Sequence, residues 1–173
     1  MGYQVSDGIK QNQLPKWLKD AGQKYGKFKD GRVDYTNAPV APVVMITVVC
    51  GNEILLVKRG YGLAEAEGLW SIVDGFIDEN KPVAEIASQE LNEELHLKIP
   101  ERDIKIADSF TLKSMDEKRS YIVFPCLVEL IDRPRLILNY EHTDFVWVKR
   151  DKIVKYEMLE DTPYTIDAAL KLL

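Results

Sequence analysis

GFIDENKPVAEIASQELNEELHL, residues 75–97, is the stretch from which the rest of the chain can be placed. Pro82 suits a first helical turn, and Ala84, Ala87, Leu91 and Leu95 recur at spacings that share one helix face. A helix from Pro82 to about Leu95 is therefore predicted, with that apolar arc against a sheet. Directly beside it stand Glu90, Glu93 and Glu94, which at ~100° per residue span an arc of about 100°. Like charges so spaced weaken an isolated helix by roughly 0.2–0.5 kcal/mol per pair. A glutamate pair on a surface helix is ordinarily a solvated face. A triplet beside a packed face has a natural counter-charge in a divalent cation.

Working outward, residues 69–73 (LWSIV) read as a short strand behind a loop over residues 60–68. Residues 40–49 (VAPVVMITVV) form a continuous β-branched run typical of a strand buried on both faces. With residues 53–59 (EILLVKR) they predict a hairpin, turned at Cys50-Gly51-Asn52. Beyond the helix, residues 104–112 and 121–130 read as two more strands, joined by a turn over 113–118 that includes Asp116 and Glu117. Residues 144–149 (DFVWVK) give another strand, and two closing helices start near Asp151 and Thr162. Strands on both sides of a central helix, with helices at the end, predict the α/β class, an α/β/α sandwich with a mixed β-sheet. Residues 1–38 read as an N-terminal extension ahead of a main domain at 39–173. In it Pro15 opens a short helix to about Tyr25, and a turn-rich loop follows.

A chain of 173 residues can bury a core without staples, and 46% hydrophobic with 29% charged residues is a globular balance. The net charge of −5 argues against nucleic acid as the partner. No apolar run is long enough for a membrane span, and the N-terminus has no leader-like apolar core. Cys50 and Cys126 lie in strand-like runs without zinc spacing, which predicts free thiols in a reducing, cytoplasmic setting.

The same 75–97 stretch resembles the Nudix box, G-x5-E-x7-R-E-U-x-E-E-x-G-U, where U is aliphatic. Gly75 is the opening glycine, Glu90, Glu93 and Glu94 are the late glutamates, and Leu91 and Leu97 fill U positions. The lead-in GLWSIVDGF (68–76) is similar to the family's W-S-L-P-G-G-F, and EHTDFVWVKRDKI (141–153) to its late segment. Lys81 stands where the first Glu belongs, Gln89 where Arg does, and His96 at the closing Gly. Val73 and Asp74 replace the Pro and first Gly of the lead-in. His96 is expected in a left-handed conformation at the helix end, which His tolerates better than most residues. Lys81 is expected to replace, from the loop side, part of the cation lost at Gln89.

The resemblance implies a Mg²⁺- or Mn²⁺-dependent hydrolase cleaving a diphosphate linkage in a nucleoside diphosphate derivative, NDP-X, with water attacking phosphorus. By position, Glu90 and Glu94 are implied metal ligands, Glu93 a further ligand or the proton carrier, and the Asp74 carbonyl an additional ligand. Arg59 is a candidate to meet a phosphate or else a strand-end surface cation, and Glu141 is a base from outside the box or else a surface acid before a strand. Tyr61 and Phe110 are candidates to stack on a ring, while core packing suits Trp70 better and His142 reads as structural. The substrate stays open among sugar nucleotides, ADP-ribose and modified nucleoside triphosphates. The NADH-pyrophosphatase marker is absent, and the Pro of ADP-ribose enzymes falls near Leu112. A second reading is a nucleotide-binding or regulatory Nudix domain with weak or no hydrolysis. A third makes residues 1–38 the arm of a homodimer.

Overall fold

The apolar run at residue 40 becomes the spine of a mixed sheet in a computed structural model that describes residues 3–62, 66–114 and 119–173. In chain order the elements are β1 (Tyr3–Asp7), α1 (Leu14–Tyr25), β2 (Val40–Cys50), β3 (Glu53–Arg59), β4 (Trp70–Ser71), β5 (Val73–Phe76), α2 (Val83–Leu95), β6 (Ile104–Ile106), β7 (Phe110–Ser114), β8 (Ser120–Leu130), β9 (His142–Lys149) and α3 (Asp161–Leu170). Short 3₁₀ turns occupy Gln11–Gln13, Glu101–Asp103 and Arg150–Lys155.

β2 runs parallel to β8 along its whole length, from Val40↔Ser120 to Cys50↔Leu130. Its alternate residues enter two cores, Val44, Ile46 and Val48 on one face and Val43, Met45 and Val49 on the other. The first core holds α2 and α1; the second holds α3. This is the expected α/β/α sandwich. Burial on both faces is why β2 carries an unbroken apolar run.

The expected hairpin is real only at its turn, where Val49 pairs with Ile54 and Cys50 with Glu53. Beyond that the strands part. β2 takes β5 as its neighbour, from Val43↔Phe76 to Ile46↔Val73, while β3 turns to β9. The parting leaves the C-terminal end of β3 facing β5, with the pocket described below between them.

Three local expectations need correction. The strand expected at 69–73 is two pieces, β4 against β3 and β5 against β2. The strand expected at 104–112 breaks into β6 and β7, with three residues, 107–109, opposite two, Phe124 and Pro125, and Pro125 has no N–H for the ladder. The extruded Ser109 is used instead by the N-terminal segment, with Gly8 N–H donating to Ser109 O at 3.1 Å. Residues 1–38, expected as a helix and a loop, also supply β1, an antiparallel edge strand on β7 with Val5 opposite Leu112. YQVSD is short and mostly polar, so only the unfilled sheet edge makes it a strand. α1 is as expected, and its Leu14, Leu18 and Ala21 are buried in the core shared with α2.

Part of the expected loop at 60–68 and most of the expected turn at 113–118, including Asp116 and Glu117, lie outside the described residues. Among the described residues no helix is long and apolar enough to cross a membrane. Both cysteines are free, Cys126 buried and Cys50 half-buried.

Candidate active site

α2 runs from Val83 to Leu95 and buries Val83, Ile86, Ala87, Leu91 and Leu95. The arc beside them carries the three glutamates in three different settings. Glu93 is exposed, Glu90 is half-buried and Glu94 is buried. Gly75 explains the position of Glu90. A Cβ there would lie 2.2 Å from Glu90 Cδ, so only glycine lets that carboxyl rest against β5.

The end of α2 organises the opposite wall. A helix leaves its last carbonyls without internal partners. Here Asn139 N–H donates to Glu94 O at 2.9 Å and Ile137 N–H to Leu95 O at 3.1 Å. His96 adopts the expected left-handed backbone, φ 53°, and its ring Nδ1 lies 3.1 Å from Ile137 O. The departure from glycine thus gains a contact that glycine could not make. Asn139 then fixes Glu141 through its side chain, at 2.9 Å to the backbone N–H and 3.2 Å to the carboxylate. Next in the chain, His142 Nε2 lies 2.5 Å from Glu94 Oε2, with both side chains 3% exposed.

These elements enclose a pocket of about 480 Å³. Glu90, Glu93, Glu94, Asp74, Arg59 and Glu141 all line it, as do His142, Gln89, Tyr140, Phe76, Asp78, Glu79 and Arg32. Arg59 Nη1 lies 3.3 Å from Asp74 Oδ2. Two residues singled out from the sequence are not brought here. Phe110 is buried in the second core, edge-on to Tyr164 at 4.8 Å between ring centroids. Tyr61 is 75% exposed and outside the pocket lining. Trp70 packs edge-on against Tyr156, as core packing would have it. Lys81 bonds Glu79 at 2.7 Å and reaches Gln89 Oε1 at 3.5 Å, so its ion pair is with the loop and not with the helix glutamates.

So many carboxylates in one place hold protons tightly. Burial, then the charges of Glu94 and Glu93, pushes Glu90 up to about 9. Burial, then Asp74 and Glu141, pushes Glu94 up to about 10. Burial also raises Asp74, against the pull of Arg59, and lowers His142. His142 Nδ1 is buried without a hydrogen-bond partner among the described residues. An unpaired ring lone pair costs less than an unpaired N–H, which favours Nε2–H donating to Glu94 whenever that carboxylate is ionised.

Hard oxygen donors with an excess of negative charge fit Mg²⁺ or Mn²⁺ chemically. As the side chains lie, no three acidic, histidine or cysteine groups among the described residues converge on one metal position. Glu90 resting on Gly75 and Glu94 turned to His142 account for that.

Arg32 and Tyr140 were missed in the sequence. Nothing local to Arg32 marks it, because it reaches the pocket only through the packing of the extension. Tyr140 had a signal, its place next to Glu141.

A comparison with curated protein sequences finds no match. Among solved structures, a MutT protein from Methanosarcina mazei Go1 superposes with TM-score 0.62 at 19% identity, over 76% of this chain and 93% of its own. The NUDIX domain of Shewanella oneidensis NrtR, complexed with ADP ribose, gives 0.65 at 17%, over 76% and 87%. A Francisella tularensis bifunctional NMN adenylyltransferase/ADP ribose pyrophosphatase, complexed with AMP and a Mn ion, gives 0.61 at 20%, over 91% of this chain and 45% of its own. At these identities the likeness is one of fold. The sequence profile described as the NUDIX domain matches residues 39–169, and with the sandwich and the glutamate helix in place the chain belongs to the NUDIX family.

Proposed function

We propose that this chain is a metal-dependent hydrolase cleaving a diphosphate linkage in a nucleotide derivative of the NDP-X type. The observation that carries this reading is the gathering of Glu90, Glu93, Glu94, Asp74 and Glu141 with Arg59 around one pocket. Four separate chain segments supply these groups. Such a set has no packing purpose, since each buried carboxylate costs stability when it lacks a counter-charge. Family membership and neighbours whose ligands are ADP ribose, AMP and a Mn ion support the same class.

Glu90, Glu93, Glu94 and the Asp74 carbonyl would hold Mg²⁺ or Mn²⁺, which when bound offsets phosphate charge and sharpens a water into a nucleophile. The chain's own groups do the rest. Arg59 meets a phosphate oxygen, exchanging its pair with Asp74 for a stronger one. His142 holds Glu94 in place. Glu93, at the open side, is the group suited to take the proton from water. Glu141 stands ready across the pocket.

The test is a panel of ADP-ribose, sugar nucleotides, nucleoside triphosphates and dinucleoside polyphosphates with Mg²⁺ or Mn²⁺, run beside Glu93→Gln and Glu94→Gln. Metal-dependent turnover lost in both variants is expected. Turnover untouched by both would refute the site. One observation favours a second reading, a nucleotide-binding NUDIX domain with little hydrolysis: Glu94 is engaged by His142 and the carboxylates do not converge. Nucleotide binding without metal-dependent turnover across the panel would select it.

A further inference from the structure

Resting on the reading above, we infer that Arg32, brought to the pocket by the N-terminal segment, binds a phosphate beyond the scissile diphosphate, so that the site is built for a chain of three or more phosphates. The pocket lining contains two arginines, Arg59 paired with Asp74 and Arg32 paired with Asp78, four residues further along the chain. Arg59 comes from the end of β3, beside Asp74 and Glu141. Arg32 comes from the N-terminal segment, beside Asp30 and Asp78. A diphosphate centred on the α2 glutamates engages Arg59, which leaves Arg32 as the pocket cation available to a further phosphate in exchange for its pairs with Asp30 and Asp78.

Arg32 is placed by main-chain bonds, which makes its position a property of the fold. Phe28 N–H donates to Arg32 O at 2.8 Å, closing a tight hairpin in which Lys27 pairs with Val33. That hairpin is fastened to the loop leading into α2. Val33 N–H donates to Asp78 O at 2.9 Å, and Tyr35 O–H to Ile77 O at 2.7 Å. The Arg32 side chain is 48% exposed and pairs with Asp30 at 2.9 Å and Asp78 at 3.5 Å. Exposed pairs of this kind are weak and exchange readily for a bidentate phosphate.

A second observation agrees in direction. Sharing Asp78 and Glu79 with this pocket is a groove of about 850 Å³ whose lining adds Asp30 and three lysines, Lys16, Lys19 and Lys27. A phosphate chain leaving the glutamates past Arg32 would run toward those lysines. A short, uncharged X group would use neither feature.

Calorimetric binding of inorganic pyrophosphate and tripolyphosphate, with Mg²⁺, tests this on the wild type, Arg32→Ala and Arg32→Lys. The wild type should bind tripolyphosphate more tightly. Arg32→Ala should lower the tripolyphosphate-to-pyrophosphate affinity ratio at least fivefold, and Arg32→Lys should restore part of it. A merely structural role for Arg32 would weaken both ligands alike and leave the ratio unchanged, which overturns the inference. So would a wild type that prefers pyrophosphate. Thermal unfolding of each variant checks that the fold persists. If the wild type binds neither ligand and hydrolyses nothing in the substrate panel, the proposed function fails as well. If it hydrolyses with the expected glutamate dependence while the ratio stays fixed, only the role of Arg32 falls.

Discussion

The two ends of α2 are held in different ways. At the C-terminal end, main-chain N–H groups of Ile137 and Asn139 take up the carbonyls of Leu95 and Glu94, and His142 meets Glu94 out of solvent. Toward the N-terminal end, the loop before α2 reaches back to mid-helix Gln89 through a side-chain bond from Lys81, itself 31% exposed and paired with Glu79. The box departs from the family pattern at both ends. His96 for glycine is absorbed, because left-handed backbone is tolerable for His and its ring gains Ile137 O. Gln89 for arginine is answered by a lysine that spends its charge on Glu79. Backbone anchoring survives changes of side chain; a surface side-chain contact does not replace a lost one in kind.

The largest effect that would break this contrast is expected at the buried pair. His142→Ala leaves Glu94 buried without its partner, which should cost about 2–3 kcal/mol in chemical denaturation. A loss under about 0.5 kcal/mol would show the C-terminal anchoring to be incidental.

A pH effect comes next. Glu90 and Glu94 sit near 9 and 10 in the fold, against an ordinary 4.5. The folded state therefore holds these protons more tightly than the unfolded chain. That stabilising contribution is complete at acid pH and fades as pH rises from about 4.5 toward 9 and 10. Without a divalent cation the denaturation midpoint should fall between about pH 5 and pH 9, and Mg²⁺ should offset the fall. Cation binding at pH 7 should release roughly one to two protons, read by calorimetry in buffers of different ionisation enthalpy. Binding without proton release would move the cation away from these glutamates.

Smaller in stability but sharp in function is Gly75→Ala. Its Cβ would displace the Glu90 carboxyl, a flexible side-chain end, so the fold should lose less than about 1 kcal/mol. Mn²⁺ affinity should fall at least tenfold. Unchanged affinity would remove Glu90 from the ligand set. The smallest effect is at the N-terminal side. Lys81→Glu and Gln89→Arg, made singly and together, should couple by about 0.5 kcal/mol in metal affinity. Simple additivity would end the idea that Lys81 stands in for the missing arginine.

Much of the fold was legible because its signals are local. The β2 run, the helix period of α2 and the left-handed His96 each follow from residues a few positions apart. Arg59, Glu141 and the three glutamates could be named from the chain, and all reach one pocket. Phe110 and Tyr61 could not be separated from true pocket residues, since an aromatic next to a strand reads the same whether it faces core, solvent or ligand. The short strand β1 and the break between β6 and β7 depend on what lies across the sheet. Composition says little about either.

By itself the sequence determined the glutamate helix, the strands that flank it and the family to which they belong, because periodicity and motif spacing are properties of neighbouring residues. The tertiary structure alone decided that β2 exchanges β3 for β5, that Glu94 is buried on His142, and that Arg32 reaches the pocket. Those outcomes turn on which surfaces meet after the chain has folded back over long separations, from 27 residues between Ile46 and Val73 to 48 between Glu94 and His142. No local spacing encodes that meeting.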